Sequence, residues 1–255
     1  MSGPERIAAA FAQSGKRAAL MPYLMGGFPD LDASKAIGHA YADGGADLVE
    51  LGVPFSDPLA DGPVIHAAGT AALQAGATTA GVLEVCAELA PRLPVVVMCY
   101  ANIVLARDDF AARIAAAGAA GLIVPDLPLE EAPPLLEACD TAGIALVPLV
   151  APTTPDERLE AIGRRARGFL YTVSVTGTTG ERASLSDTFA ATVGRARAHT
   201  DVPVALGFGI ATPEHAAQAA AAGADGVIVG SRLVRAAADG EGVRALVQQL
   251  AAGLR

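Results

Sequence analysis

Residues 43 to 49 read Asp43-Gly44-Gly45-Ala46-Asp47-Leu48-Val49, and the fold can be predicted by working outward from this stretch. An alanine-rich segment of helical period ends at the glycines, which are typical helix C-caps, and an apolar strand follows. The same order of features returns at Ala117-Gly118-Ala119-Ala120-Gly121-Leu122-Ile123 and at Ala222-Gly223-Ala224-Asp225-Gly226-Val227-Ile228. A unit that recurs along the chain indicates repeated helix–turn–strand building blocks.

The rest of the chain continues this alternation of apolar strands and helical segments. The predicted strands are residues 19–25, 47–51, 95–100, 122–125, 144–150, 169–174, 204–207 and 227–230. The predicted helices are residues 32–43, 79–90, 108–117, 130–142, 155–165, 185–199, 213–222 and 242–250. Strands that are apolar on both faces and separated by helices favour a parallel sheet. Eight such units predict an α/β fold of the (β/α)8 TIM barrel type, with residues 1–255 as a single domain. An open doubly wound sheet is the alternative.

Composition excludes several classes of protein. Apolar residues make up 52% of the 255 residues and charged residues 18%, which is unlike a disordered chain. No run approaches 18 strongly apolar residues without an interruption, so a membrane span is not expected. The net charge of −9 argues against a nucleic-acid partner, which requires a basic surface. A small anionic substrate remains compatible, because backbone amides bind phosphate whatever the net charge.

The three cysteines, Cys86, Cys99 and Cys139, are unclustered and lie in apolar surroundings. Their spacing fits neither a disulfide framework nor a zinc site, so we interpret them as buried thiols in a reducing compartment. The N-terminus carries no signal-peptide pattern, and a cytoplasmic location is therefore expected.

Glu50 is the first candidate for chemistry, because catalytic groups of barrels lie at the C-terminal ends of strands. Leu48 and Glu50 share one face of their strand, and Val49 and Leu51 share the other. Glu50 points either into the helix layer, where an unpaired carboxylate is costly, or into the barrel mouth, where it becomes an acid–base group with a raised pKa. A structural carboxylate satisfied by backbone amides is the alternative.

Other polar residues near strand ends have both a functional and a structural interpretation. Asp57 and Asp61 lie in the proline-rich loop after strand 2, and Asp126 follows strand 4; each is either a second acid or a turn residue. The four histidines fall on predicted helices away from strand ends and form no catalytic or metal-binding pattern; they are His39, His66, His199 and His215.

Glycines and aromatic residues mark the remaining strand ends. Gly207-Phe208-Gly209 and Gly230-Ser231 end strands 7 and 8, where barrels often bind phosphate, although such glycines also serve tight turns. The polar segment 175–182 is either a lid or an inert connection. Tyr23, Tyr100 and Tyr171 lie near strand ends, either as pocket lining or as core.

These residues carry a resemblance to a known family. The run Leu51-Gly52-Val53-Pro54-Phe55-Ser56-Asp57-Pro58-Leu59-Ala60-Asp61-Gly62-Pro63 resembles the signature of the tryptophan synthase alpha chain. Tyr100-Ala101-Asn102, Thr179-Gly180, Gly207-Phe208-Gly209 and Gly230-Ser231 match that family in order and spacing. The resemblance covers essentially the whole chain. It implies a (β/α)8 lyase of tryptophan biosynthesis that cleaves indole-3-glycerol phosphate to indole and glyceraldehyde 3-phosphate.

The resemblance also implies roles for individual residues. Glu50 corresponds to the acid–base glutamate, Asp61 to the aspartate that meets the indole N–H, and Tyr171 to a tyrosine near the reacting glycerol. The implied wall of the indole pocket is Tyr23, Met98, Leu149 and Phe208, and the implied phosphate side is Gly180, Gly207, Gly209, Gly230 and Ser231. Tyr100 and Thr179 are further implied substrate-binding residues. Tyr23, Met98 and Pro125 stand where relatives often have Phe, Leu and Ala, which affects the expected pocket shape and not the reaction.

A partner follows from the same resemblance. Family members pair with a beta chain in an α2β2 heterotetramer, and pyridoxal phosphate is expected only in that beta chain, with no cofactor and no metal in this one. The apolar loop from Pro54 to Gly62 is the predicted contact with the partner. Two other functions stay open: another phosphate-binding barrel, such as an isomerase of phosphoribosyl substrates, and a catalytically idle chain that only activates a beta partner.

Overall fold

The computed structural model describes residues 1–173, 187–207, 209–240 and 242–255, and for residues 187–189 only the backbone. Within these ranges the strands are β1 Ala19–Met25, β2 Val49–Gly52, β3 Val95–Met98, β4 Gly121–Ile123, β5 Ala145–Val147, β6 Leu149–Val150, β7 Leu170–Val173, β8 Val204–Gly207 and β9 Gly226–Val229. All pairings between them are parallel. Every predicted strand therefore overlaps an observed one, with ends that differ by a few residues.

The fifth predicted strand closes the barrel in two pieces. The sheet order is β5-β4-β3-β2-β1-β9-β8-β7-β6, so β5 pairs with β4 while β6, which follows it directly in the chain, pairs with β7. Pro148 separates the two pieces, because proline has no N–H to give to a ladder. Its carbonyl still accepts the Tyr171 N–H at 3.0 Å. The TIM barrel prediction is confirmed, and the open doubly wound alternative is wrong.

Helices follow the strands around the outside. They are α1 Gly3–Ala12, α2 Leu31–Asp43, α3 Pro63–Gln74, α4 Thr79–Leu89, α5 Ala101–Leu105, α6 Phe110–Ala116, α7 Ala132–Ala142, α8 Asp156–Arg165, α9 Asp187–Arg197, α10 Pro213–Ala221, α11 Ser231–Ala238 and α12 Val243–Gly253. The predicted helix list omits α1, α3, α5 and α11. No described helix is long and apolar enough to cross a membrane.

Helix α1 was detectable from its capping box. The Ser2 hydroxyl accepts the Glu5 N–H, and the Glu5 carboxylate accepts the Ser2 N–H. The helix lies at the N-terminal end of the barrel, where Ile7 joins the cluster of side chains inside it. Arg6 fixes the helix there by donating to the carbonyls of Gly118 and Ala90 at 2.9 and 2.7 Å.

The repeated helix–turn–strand stretches have a structural function at the same end. In two of them an aspartate carboxylate accepts a backbone N–H of the neighbouring strand. Asp47 binds Leu20 N–H at 2.7 Å, and Asp225 binds Val204 N–H at 2.9 Å. Each carboxylate also pairs with a cation, Lys16 or Arg197. The three predicted buried thiols are free and buried.

Two apolar layers surround the strands and fix which way each side chain points. Leu48 belongs to the cluster inside the barrel, together with Val96 and Ile123. Val49 and Leu51 belong to the cluster between strands and helices. Because side chains alternate along a strand, Glu50 points into the barrel, near the end at which the parallel strands finish.

Candidate active site

Glu50 is buried inside the barrel mouth. It lies on β2 in register with Tyr23 of β1 and Val96 of β3, and it is 2% exposed. Its Oε2 has no hydrogen-bond partner among the described residues. The alternative of a structural carboxylate satisfied by backbone amides does not apply to this oxygen. A buried, unsatisfied polar atom is costly and marks a place where a ligand is expected.

Burial sets the protonation state of Glu50. Desolvation, with the nearby Asp61 carboxylate as a second cause, raises the pKa of Glu50 from 4.5 to about 8. The group therefore carries a proton at neutral pH, although an ordinary glutamate does not. The predicted rise of the Glu50 pKa is confirmed in direction and in cause, and the acid–base role itself stays a prediction.

Asp61 is the second carboxyl group of the site, and it ionises at lower pH. Burial raises the pKa of Asp61 from 3.8 to about 6, while a hydrogen bond with Tyr100 and the nearby His66 act in the opposite direction. At neutral pH Asp61 is thus mostly ionised while Glu50 is protonated. Two neighbouring carboxyl groups whose pKa values are pushed apart are suited to different roles in one reaction.

Tyr100 holds the loop that carries Asp61. Its ring stacks on Phe55, with the ring centroids 5.3 Å apart. Its hydroxyl accepts the Ala60 N–H at 3.1 Å and hydrogen-bonds Asp61. At the start of the loop, Val53 donates its N–H to the Met98 carbonyl at 2.8 Å. Tyr100 thus positions the carboxylate, a function beyond the pocket lining that the sequence suggested.

The side chains of two tyrosines lie directly over glycines of the adjacent strands. A Cβ on Gly52 would collide with the Tyr23 hydroxyl, and a Cβ on Gly207 would collide with the Tyr171 hydroxyl. Both glycines leave room for a buried phenol in the mouth. For Gly207 this function stands beside the phosphate role implied by the resemblance. Gly52 was missed as a site residue, although its position two residues after Glu50, on the same face, was the signal.

The remaining predicted residues fall into three groups. Met98 and Leu149 are half-buried and pack against the interior cluster. Gly209 has a φ of +79°, and Gly230 caps α11, whose first residue is Ser231. Three residues, Thr179, Gly180 and Phe208, lie outside the described residues, as does the predicted lid at 175–182.

Other candidates lie outside the site. Asp57 is exposed and bonds the Ser56 hydroxyl, and Asp126 is exposed and accepts the Ala101 N–H at 2.8 Å. Both are turn or helix-start residues, which was the structural interpretation. The prediction that His199 lies on a helix is wrong, because α9 ends at Arg197 and His199 lies in the turn that follows. Within the described ranges no group of three or more His, Cys, Asp or Glu could hold a metal ion.

Comparison with known proteins gives the family. The sequence profile described as "Tryptophan synthase alpha chain" matches residues 9–253. The chain belongs to this family. The alpha chain from Gloeobacter violaceus is 46% identical over 241 residues, which cover 92% of this chain and 87% of that one. The alpha chain from Synechococcus elongatus is 48% identical over 244 residues, covering 93% and 92%.

Solved structures agree with the sequence comparison. A chain of Mycobacterium tuberculosis tryptophan synthase superposes with a TM-score of 0.92 and 41% identity, over 98% of each chain. A chain from the tryptophan synthase α2β2 complex of Pyrococcus furiosus gives a TM-score of 0.86 and 36% identity, over 92% of this chain and 98% of that one. Tryptophan synthase alpha chains are lyases of tryptophan biosynthesis, which favours this function over a phosphoribosyl isomerase.

Proposed function

We propose that this chain cleaves indole-3-glycerol phosphate to indole and glyceraldehyde 3-phosphate, with Glu50 as the acid–base catalyst. The observation that carries the proposal is the buried Glu50 carboxyl, whose Oε2 has no hydrogen-bond partner among the described residues. Its pKa is raised to about 8, so the carboxyl is protonated at neutral pH. A retro-aldol cleavage of this substrate requires one proton delivered to carbon 3 of the indole and one removed from the adjacent hydroxyl. A carboxyl group that ionises near neutral pH performs both transfers.

The two carboxyl groups have different roles in the proposed reaction. Protonated Glu50 gives its proton to carbon 3 of the indole ring, which leaves positive charge on the ring. Ionised Asp61 accepts a hydrogen bond from the ring N–H and stabilises that charge. The Glu50 carboxylate then takes the proton of the hydroxyl next to carbon 3 while the carbon–carbon bond breaks. The bond electrons return to the ring, the aldehyde and indole form, and Glu50 has regained its proton.

The strand ends suggest how the substrate is held. Tyr23, Met98, Tyr100 and Leu149 form the proposed indole side together with Phe208, and Tyr171 serves the glycerol. Gly230 and Ser231 at the N-terminus of α11 form the phosphate side together with Thr179, Gly180, Gly207 and Gly209. A helix N-terminus with bare amides stabilises an anion. The chain itself requires no cofactor for this chemistry.

Incubation with indole-3-glycerol phosphate, followed by detection of indole, tests the reaction. Glu50→Gln keeps the shape of the side chain but removes the transferable proton, and the rate should fall by about 10²- to 10⁴-fold. Asp57→Asn is the matched control, since Asp57 is an exposed acid of the same loop that lies outside the site. Retention of more than about a tenth of the turnover by Glu50→Gln contradicts its role as acid and base.

We also propose a beta chain as the partner, with pyridoxal phosphate bound only there. The loop after β2 supports this surface, because Leu59 is 89% exposed while Phe55 in the same loop is held by Tyr100. An exposed apolar side chain beside an anchored one is suited to a protein contact. The cytoplasmic location and the single domain over residues 1–255 stay predictions.

A further inference from the structure

We propose that Tyr23 is a positioning residue for the Glu50–Asp61 pair, and that its hydroxyl turns from Met25 to the pair once both carboxyl groups are ionised. This inference rests on the proposed function for its kinetic consequences. Its physical basis is the location of one buried hydroxyl that has a weak acceptor in the present arrangement.

The Tyr23 hydroxyl lies in the mouth, close to the reacting groups. Tyr23 is 5% exposed and is in register with Glu50 on the adjacent strand. The Tyr23 hydroxyl occupies the space directly over Gly52, so its oxygen lies beyond Glu50 along β2, toward the loop that carries Asp61. Burial and the charges of Asp61 and Glu50 raise the pKa of Tyr23, so the phenol stays protonated and acts as a donor.

The present partner of this hydroxyl is a poor one. Tyr23 Oη lies 3.9 Å from Met25 Sδ, and a thioether is a weak acceptor. Glu50 Oε2, inside the same mouth, has no partner among the described residues. A donor with a weak acceptor and an acceptor with no described donor thus lie in the same barrel mouth.

The need for a donor arises within the reaction. Before proton transfer the pair carries one charge, on Asp61. After Glu50 has protonated the indole, two carboxylates face each other at low dielectric, which is unfavourable. A neutral O–H that donates to the dianion lowers its free energy without adding a charge. The Tyr23 hydroxyl therefore favours the second ionisation of the pair.

Tyr171 is the other buried phenol beside Glu50 among the described residues, and the proposed function assigns it to the glycerol. Among the described residues, the titratable groups that face Glu50 are Tyr23 on β1, Asp61 and, on β7, Tyr171, which serves the glycerol in the proposed function. Tyr100 is committed to Asp61, and His66 on α3 is exposed. The inward residues of the other strands at this end are apolar or glycine: Val96, Met98, Ile123, Val147, Leu149, Ala205, Gly207 and Ile228.

Two variants with opposite expectations test the proposal. Tyr23→Phe removes the donor and keeps the ring, so the second pKa of the pair should rise by about one unit. Met25→Leu removes the competing acceptor, so the same pKa should stay or fall. The readouts are the basic limb of kcat/KM for indole-3-glycerol phosphate and a carboxyl ¹³C NMR titration of the ligand-free chain, with Glu50→Gln identifying the signal.

The outcomes separate this proposal from the proposed function. A rise of about 0.5 unit or more in Tyr23→Phe, with less than half of that in Met25→Leu, supports it, and any other pattern in the NMR titration overturns it. Equal rises in both variants indicate mere repacking of the Tyr23 ring. The titration needs no substrate, so its result holds even if the wild-type chain releases no indole, which would instead contradict the proposed function.

Discussion

At the scale of single residues, the Glu50–Asp61 pair predicts the pH dependence of the reaction. The free chain needs Asp61 ionised and Glu50 protonated, so kcat/KM should be bell-shaped with limbs near pH 6 and pH 8. Below the acid limb Asp61 loses its negative charge, and above the basic limb Glu50 has no proton to give. These two values belong to the coupled pair. A kcat/KM that stays flat from pH 5 to pH 9 contradicts this assignment.

The same residue predicts a change in stability. The pKa of Glu50 is higher in the folded chain than in the unfolded chain, so folding favours the protonated form. The contribution of this group to the free energy of unfolding is fully present below pH 4.5, and it is lost as the pH rises from there through about 8. Glu50→Gln cannot ionise, so it should match the wild type near pH 4 and exceed it by roughly 2 to 4 kcal/mol near pH 9. Urea unfolding at the two pH values measures the difference, and Glu88→Gln, an exposed glutamate, is the control.

At the scale of elements, Tyr100 links the loop after β2 to the loop after β3. Tyr100→Phe keeps the stacking on Phe55 but loses the bonds to Ala60 and Asp61. Loss of a hydrogen bond to a charged group costs about 1.5 to 3 kcal/mol, so kcat/KM should fall by roughly 10- to 100-fold. The acid limb should move to higher pH, because the bond that lowers the pKa of Asp61 is gone.

Tyr41→Phe is the matched control for that measurement. The Tyr41 hydroxyl is also buried and donates to a backbone carbonyl, that of Tyr23, at 3.2 Å. Its loss should lower stability without moving the acid limb. An acid limb that shifts equally in both variants would show that Tyr100 acts through general loosening of the barrel mouth.

Helix α1 permits a prediction about stability alone. Arg6→Ala removes two bonds from a partly buried guanidinium to carbonyls at the base of the barrel. We expect a loss of about 1 to 3 kcal/mol in the free energy of unfolding, because the carbonyls of Gly118 and Ala90 lose their donor. Arg17→Ala, which removes one exposed bond to Gly253, should cost less. Denaturant unfolding measures both variants. Equal losses of unfolding free energy would contradict a larger contribution of Arg6 to stability.

At the scale of the whole molecule, activity is expected to depend on a beta chain. A partner that presses on the loop from Pro54 to Gly62 would hold Asp61 in place and raise the population of the active arrangement. If that arrangement is about 1% populated in the isolated chain, saturating partner raises turnover by roughly 10². Titration of a cognate beta chain against indole release measures this, and an unchanged rate at saturation rejects it.

A surface variant separates partner binding from chemistry. Leu59→Asp places a charge on the exposed tip of the loop and should weaken the complex by at least about tenfold, with the isolated chain keeping its activity. Leu73→Asp changes another exposed leucine, near the far end of α3, and should leave the complex intact. Sedimentation of the mixed chains gives the affinities.

Features that depend on neighbours along the chain could be predicted from the amino-acid sequence. The alternation of strands and helices, and the repeated glycine turns, follow from local periodicity and turn chemistry. The inward direction of Glu50 follows from alternation along β2 and from the cost of an unpaired carboxylate in the helix layer. The acid–base role of Glu50 follows from its place at the end of its strand, whereas the reaction it serves and the role of Asp61 came from the resemblance.

The tertiary structure alone decided what depends on residues far apart in the chain. Tyr100 meets Ala60 across 40 positions, and the Tyr23 hydroxyl requires the empty space above Gly52 on another strand. Pro148 divides the fifth predicted strand into two pieces that pair with β4 and β7. No local sequence pattern predicts these two partners. The separation of the two carboxyl pKa values likewise needs burial and a charge partner. Periodicity reports which face a residue occupies, and only packing fixes what it touches and how much water it loses.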